Sequence, residues 1–329
     1  MLSVELYEQA DGFDRLAVEW RDLVDSAQGG VFLHPTWQRL WWRHLAGDAQ
    51  LQLYAFREGT TLVGLAPLMR LASGELQVVG GVDVADYLDV LYLPGRSCDV
   101  FGKLLDTLAA RSDWTSLSLQ DVPEQSLTRH CLVNAAGERG IAALEEVEEV
   151  CPRIKLPGSF DEYLETLTSD DRHELRRKMR KASNRRGYRF TALEATTDLA
   201  GSIEEFVTLH VKSSGDKATF MTEPMRRFFT DLAAHGEELG VVLNFIEIGG
   251  RRVAGLLNYR SNGELWSYNS GHDPEYNQFS VGVAIFGFTI EWAIQQGLRV
   301  FDFLRGNEPY KYDFGSVDTT VHRIRLEHP

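Results

Sequence analysis

The chain is poor in cysteine, in positive charge and in long apolar runs. Three cysteines in 329 residues (Cys98, Cys131 and Cys151) are an odd, widely spaced set with no CxxC pair. Neither a disulfide framework nor a thiolate zinc site is expected, and a reducing, cytoplasmic setting is. Thirty-four Lys and Arg face 48 Asp and Glu, a net charge of −14. Such a chain repels polyanions overall, so DNA is not an expected partner. The most apolar run, 281–290, stops at Glu291 and is too short to insert across a bilayer. Glu5, Glu8, Asp11 and Asp14 do not read as a signal peptide. The nine histidines form no HxH or HxxxH pair, so no metal is expected. GxSxG and Cys/His nucleophile signals are missing too, which favours direct transfer over a covalent enzyme intermediate.

What is present is an ordinary globular composition, 43% hydrophobic and 11% aromatic, in a length that suits about two domains of ~150 residues. Charge is unevenly spread. Residues 1–150 hold 11 basic and 23 acidic side chains, whereas 151–200 hold 11 and 8. The stretch 172–189 has nine basic residues and one acid, Glu174.

The halves repeat one another. YAFREGTTLVGLAPL (54–68) and FIEIGGRRVAGLLNY (245–259) both read as hairpins, with Gly59 and Gly250, and Gly64 and Gly255, each 191 positions apart. Before each lies an amphipathic helix opened by a proline, with Arg39 and Arg227 offset by 188. Earlier helices at 13–26 and 203–214 fall at a similar offset. A third strand (76–79; 265–269), a helix (100–110; 282–296) and a further strand (115–119; 299–304) complete each copy. This predicts an α+β fold of two tandem units, 1–150 and 151–329, each a mixed sheet flanked by helices. Ser159 and Ser169 are the expected helix starts in the bridging segment 158–186.

Chemistry concentrates in YNSGHDPEYNQFSVGVA (268–284). A strand ends, a polar loop follows, and a helix opens on small residues. Free amides at such a start, with the positive end of the helix dipole, suit a pyrophosphate. The alternative is a glycine chosen for packing, with Ser280 a plain cap. FDFLRGNEPYKY (301–312) is the second informative stretch. Asp302 interrupts an apolar strand and needs a partner, for which Arg305 and Lys311 are the nearby candidates. Asp302 is either catalytic or half of a structural ion pair. His272 and Asp273 are candidate bases, and His210 reads as a packing or surface residue on a helix.

The succession around 278–284 resembles the GNAT superfamily of N-acetyltransferases. Gln278 to Ala284 resembles its Q/R-x-x-G-x-G/A signature with one extra residue. Pro152, the basic helix and 301–312 together resemble the CelD-like, cellulose-biosynthesis-associated acetyltransferases. Those are similar in architecture to the Fem-type aminoacyl transferases, which carry two GNAT-like units. The resemblance implies an acyltransferase that uses acetyl-CoA or another acyl-CoA as co-substrate, with an amine or hydroxyl as acceptor. It implies donor contacts at Ser270, Gln278, Ser280, Val281, Gly282, Val283 and Ala284. It makes Tyr310 or Tyr312 the acid that protonates the leaving thiolate, with Pro309 opening a helical turn that separates the two rings. Arg305 and Lys311 become candidates for the acceptor, a small molecule or an envelope precursor. The first copy departs from the pattern: Asp83, Asp86 and Asp89 stand where a pyrophosphate would lie, which makes it a degenerate unit. The basic helix is either a solvated face paired within the chain or an anion site. A Fem-type enzyme using tRNA, or a non-catalytic binding protein of the same fold, are the alternatives.

Overall fold

The computed structural model describes residues 2–81, 83–194 and 199–328. The chain forms two compact units, Met1–Val150 with Thr320–Pro329, and Cys151–Thr319. The last ten residues therefore belong to the first unit, not to the second as the sequence division had it. Their strand, Val317–Glu327, pairs antiparallel with a strand of that unit (Val321 opposite Pro123, Glu327 opposite Ser116).

The first unit runs β1 (Ser3–Tyr7), α1 (Asp11–Ser26), α2 (Pro35–Leu45), β2 (Gln50–Glu58), β3 (Thr61–Arg70), β4 (Glu75–Val78), β5 (Leu91–Tyr92), α3 (Ser97–Ala109), β6 (Ser116–Pro123) and α4 (Thr128–Glu138). β7 (Ala143–Lys155) begins in this unit and ends in the next. Strands β1 to β4 pair antiparallel in sequence order, and β6 joins β4 in parallel after the α3 crossover. Cys98 and Cys131 are bridged by a disulfide, and Cys151 is free and buried. The sequence, which led to no expectation of a disulfide framework, did not foresee this bridge. Spacing in sequence hid that α3 and α4 pack side by side and bring positions 33 apart into contact.

The second unit repeats this order. After α5 (Phe160–Thr166) and α6 (Ser169–Ser183) come β8 (Arg189–Leu193), α7 (Leu199–Ser213), α8 (Gly215–Phe220), α9 (Glu223–Ala234), α10 (Gly236–Leu239), β9 (Val241–Ile248), β10 (Arg251–Ser261), β11 (Glu264–His272), α11 (Val281–Gln295), β12 (Val300–Asp302) and α12 (Pro309–Tyr312). Strands β8 to β11 are antiparallel; β12 joins β11 in parallel and pairs antiparallel with the end of β7. Ser159 caps α5 as expected, but Thr168, one residue before Ser169, caps α6 by accepting from the Asp171 amide. The hairpin glycines have matching duties. Gly59 and Gly250 turn the chain at positive φ, whereas Gly64 and Gly255 leave room for Val100 and Phe245.

α11 is apolar on all sides because it is enclosed. Val281, Ala284, Ile285, Ile290 and Ala293 are buried in one cluster with sheet residues Ile246, Leu256 and Leu265 and with Leu175, Met179 and Ala182 of α6. α6 comes close enough that a side chain on Gly287 would touch Met179 Sδ at 2.8 Å. None of the described helices is long and apolar enough to cross a membrane.

β11 lies against α7 with even less clearance. A Cβ on Gly271 would sit 2.4 Å from the His210 amide nitrogen and 2.6 Å from the Leu209 carbonyl carbon. Backbone cannot swing aside as a methionine does. Gly271→Ala should therefore cost about 3 kcal/mol or more. Gly287→Ala, meeting flexible side-chain ends and gaining about 1 kcal/mol in helix propensity, should stay within about 1 kcal/mol of the parent. Urea denaturation of the two variants tests this; equal losses would show that β11 is free to move off α7.

Candidate active site in the second unit

The site is built where β11 and β12 part. Their parallel pairing covers only Glu264–Trp266 against Val300–Asp302, although β11 runs on to His272. A bulge at Tyr268, which has no opposite number in β10, marks the start of the unpaired stretch. β12 ends because Leu304 adopts a left-handed backbone (φ +57°), which cuts short the strand expected to reach it.

Asp302 fixes that ending. Its carboxylate has no exposed surface; Oδ1 accepts from the Leu304 amide at 2.8 Å and Oδ2 meets Arg153 Nε at 2.9 Å. Arg153 stands directly opposite on β7 and also contacts Glu264. A partner is thus Arg153, from 149 residues earlier in the chain, whereas Lys311 is engaged elsewhere. Removing one member of such a buried pair costs about 3–5 kcal/mol, so this aspartate is a structural anchor. Lys311 is likewise occupied. It is buried, its Nζ donates to the carbonyls of Leu304 (3.3 Å), Arg305 (2.7 Å) and Gly306 (3.0 Å), and it pairs with Glu308 at 2.9 Å. Its protons hold the loop and leave none for an acceptor. Arg305 is half-buried in the same loop.

The helix start lies at the far end of β11. A short turn, Pro274–Phe279, leads to Ser280, held at φ +58° and ψ 32°. The amides of Val283 and Ala284 both donate to Ser280 O, at 3.2 and 2.9 Å, and that of Ser280 donates to Asn277 O at 2.9 Å. Of the five amides suggested by sequence, only those of Val281 and Gly282 lack an internal acceptor among the described residues. Gln278 projects into solvent before them. A strained non-glycine at Ser280 costs about 1–3 kcal/mol, and it aims these two amides out of the helix.

His272 stands over this start: a Cβ on Gly282 would lie 3.2 Å from its Nδ1. Burial, aided by the Lys217 charge, pulls its pKa below that of an ordinary imidazole, against a hydrogen bond to the Asn277 side chain that favours the charged ring. It is therefore neutral at pH 7. Asp273 is buried, ion-paired with Lys212 (3.2 Å) and Arg251 (3.6 Å), and caps the turn by accepting from the Glu275 amide. Ser270 is also engaged: its carbonyl accepts from His210 Nδ1 at 3.0 Å and from Lys217 Nζ at 2.7 Å.

The helical turn expected at Pro309 forms, with Glu308 at its cap position, and it separates the two tyrosines. Tyr312 donates to Asp318 Oδ1 at 2.9 Å. Tyr310 rests its ring on Phe286 of α11 (5.4 Å) and Phe303 (6.3 Å), and its hydroxyl has no hydrogen-bond partner among the described residues. Burial, with Glu308 nearby, pushes its pKa up. A neutral imidazole thus stands at the start of α11, where two amides lack an internal acceptor, and a neutral phenol packs further along the same helix.

α6 supplies positive charge to the same end. Arg176 pairs with Asp161, and Arg177 and Lys178 with Glu174. Arg180, Lys181, Arg185 and Arg186 have no carboxylate within ion-pair distance among the described residues, and Arg185 lies 5.0 Å over the Phe279 ring, beside the helix start. In the first unit the equivalent helix start is closed. Asp99 fills its first turn and pairs with Arg96 at 3.2 Å. Asp89, expected to repel a pyrophosphate there, is turned inward to accept from Ser126, Thr128 and the Val90 amide, and burial pushes its pKa up to about 6.

Residues 169–312 match the family model described as acetyltransferase (GNAT) domain. That part of the chain is thus similar to a GNAT domain, and the fold is one shared with tandem GNAT proteins. No curated protein sequence matches the chain. Among solved structures, FemX is similar at a TM-score of 0.66 and 12% identity, over 98% of this chain and 96% of FemX. L-PGS from Bacillus licheniformis is similar at 0.61 and 11%, over 93% and 90%. A tandem GNAT protein from the clavulanic acid biosynthesis pathway is similar at 0.53 and 15%, over 99% of each chain. At these identities the likeness concerns fold alone.

Two side chains of the site carried no sequence signal as functional residues, His210 and Lys217. His210 is buried, and that burial with the Lys217 charge pulls its pKa down to about 4. Between about pH 6.5 and 4 the unfolded chain binds a proton there and the folded chain does not. The stability owed to neutral His210 is therefore complete above pH 6.5 and is lost on acidification, by up to about 3 kcal/mol. Urea midpoints at pH 7 and 4.5 should show a loss in the parent that is much smaller in His210→Gln. Identical losses would assign the acid sensitivity to other groups.

Proposed function

We propose that the chain is an acyl-CoA-dependent acyltransferase whose second unit binds the donor and moves its acyl group to an amine or hydroxyl of a small-molecule acceptor. The supporting observation is the arrangement around α11. Beyond the stretch of β11 that pairs with β12, His272 stands over Gly282 at the start of α11, the Val281 and Gly282 amides have no internal acceptor among the described residues, and the Tyr310 ring packs on Phe286 of the same helix. The match of 169–312 to the GNAT acetyltransferase domain points the same way.

In this reading the donor's pyrophosphate lies on the Val281 and Gly282 amides, at the positive end of the α11 dipole, with Arg185 and its neighbours supplying charge. Pantetheine follows the free edge of β11. The acceptor nitrogen or oxygen attacks the thioester carbonyl carbon; the new C–N or C–O bond forms as the C–S bond breaks. His272, neutral at pH 7, takes the proton lost by the acceptor. Tyr310, a neutral phenol at pH 7, gives its proton to the departing sulfur. The first unit, with its helix start closed by Asp99 and Arg96, binds no donor.

Calorimetry with CoA should show one site per chain, and Gly282→Glu should abolish it by placing a carboxylate on the phosphate position. Two sites per chain, or unchanged affinity in the variant, would overturn the donor assignment. Acceptor screening by thiol release tests the acid. Tyr310→Phe should lower kcat by about 100-fold or more with little change in KM for acyl-CoA, since the phenol acts on charge that develops in the transition state. Tyr312→Phe should stay within threefold. The assignment of Tyr310 fails if both variants do.

A further inference from the structure

Lys217 is a cation that neither the packing nor the donor reading employs. It lies on α8, whose cap Ser214 accepts from the Lys217 amide. Its Nζ donates to Ser270 O at 2.7 Å and Ser270 Oγ at 3.0 Å, at the unpaired end of β11 and two residues before His272. An ammonium has three protons, so one is left without an acceptor. No carboxylate among the described residues lies within ion-pair distance, in a chain with 48 of them. The acid that acts on it, Glu308, is committed to Lys311 at 2.9 Å.

The other groups around it offer no counter-charge. His210 donates through Nδ1 to Ser270 O, and its Nε2 is buried without a partner. His272 carries no charge at pH 7. Ser270 presents only neutral dipoles. Holding a half-buried ammonium with no counter-ion is costly, and burial already pulls its pKa down. A ligand anion at this point would meet a preset, partly desolvated cation beside the proposed base, where a charge-assisted hydrogen bond is strongest.

We propose that Lys217 binds an oxyanion of the acyl acceptor, so that the acceptor is a small anionic molecule whose nucleophilic nitrogen or oxygen lies a few bonds from a carboxylate or phosphate. An amino acid is the simplest molecule of that class. The word acceptor rests on the acyl-transfer reading; the anion site rests only on the geometry around Lys217.

Brief reductive methylation with formaldehyde, followed by peptide mass spectrometry, reads Lys217 directly, with Lys103 and Lys155 as internal references. Acetate and methyl phosphate at tens of millimolar, with chloride holding ionic strength constant, should each be tried against acetamide. Protection of Lys217 by at least threefold with an anion and none with acetamide is the expected result. Acetate protecting alone assigns the carboxylate, methyl phosphate alone the phosphate. Equal protection by acetamide, protection by neither anion, or a Lys217 that never reacts would each overturn the proposal. CoA calorimetry on the same protein separates the two readings. Anion protection without CoA binding removes the donor assignment and leaves the anion site; CoA binding without protection removes the anion site alone.

Discussion

The buried carboxylate of Asp302 is the constraint on which the site depends. Held by Arg153 across the sheet and by the Leu304 amide, it stops β12 after three residues and turns the chain away from β11. Without that stop the parallel ladder would continue and close the free edge of β11. Lys311 completes the arrangement by taking up the carbonyls that the turning loop leaves unpaired. A charged pair and a buried lysine are costly ways to end a strand. They persist where an apolar end would let the strands zip together.

At the other end of the site, strain and charge are combined. Ser280 in the left-handed region aims two amides outward, and α11 behind them is anchored on all sides by apolar contacts. That anchoring lets the helix bear a start whose first two amides have no internal acceptor. α6 packs its Leu175, Met179 and Ala182 against α11, and the segment that follows it carries Arg185 to the same place. One packing contact serves both stability and the local field, in a chain that is otherwise strongly acidic.

The two units show how one topology is kept while a site is gained or lost. Both have helices (two in the first unit, four in the second), then a hairpin, a third strand, a crossover helix and a parallel strand. In the second unit the crossover helix begins with free amides; in the first it begins with Asp99, Arg96 and the Cys98–Cys131 bridge. Aspartate at a helix start satisfies the same dipole that a ligand phosphate would.

The sequence by itself determined the α+β class, the repeated order of elements, the start of α11 and the helical turn at Pro309. Those depend on local periodicity, glycine turns and capping residues, which act over a few positions. The tertiary structure alone decided which charges meet. Asp302 finds Arg153 across the sheet, Lys311 turns inward, Cys98 reaches Cys131, and only two of five amides lack an internal acceptor. It also brought His210 and Lys217, unremarkable in their own helices, to one carbonyl of β11. Partners of that kind are chosen by strand register and helix packing across scores of residues, and neither is written in the spacing of the residues concerned.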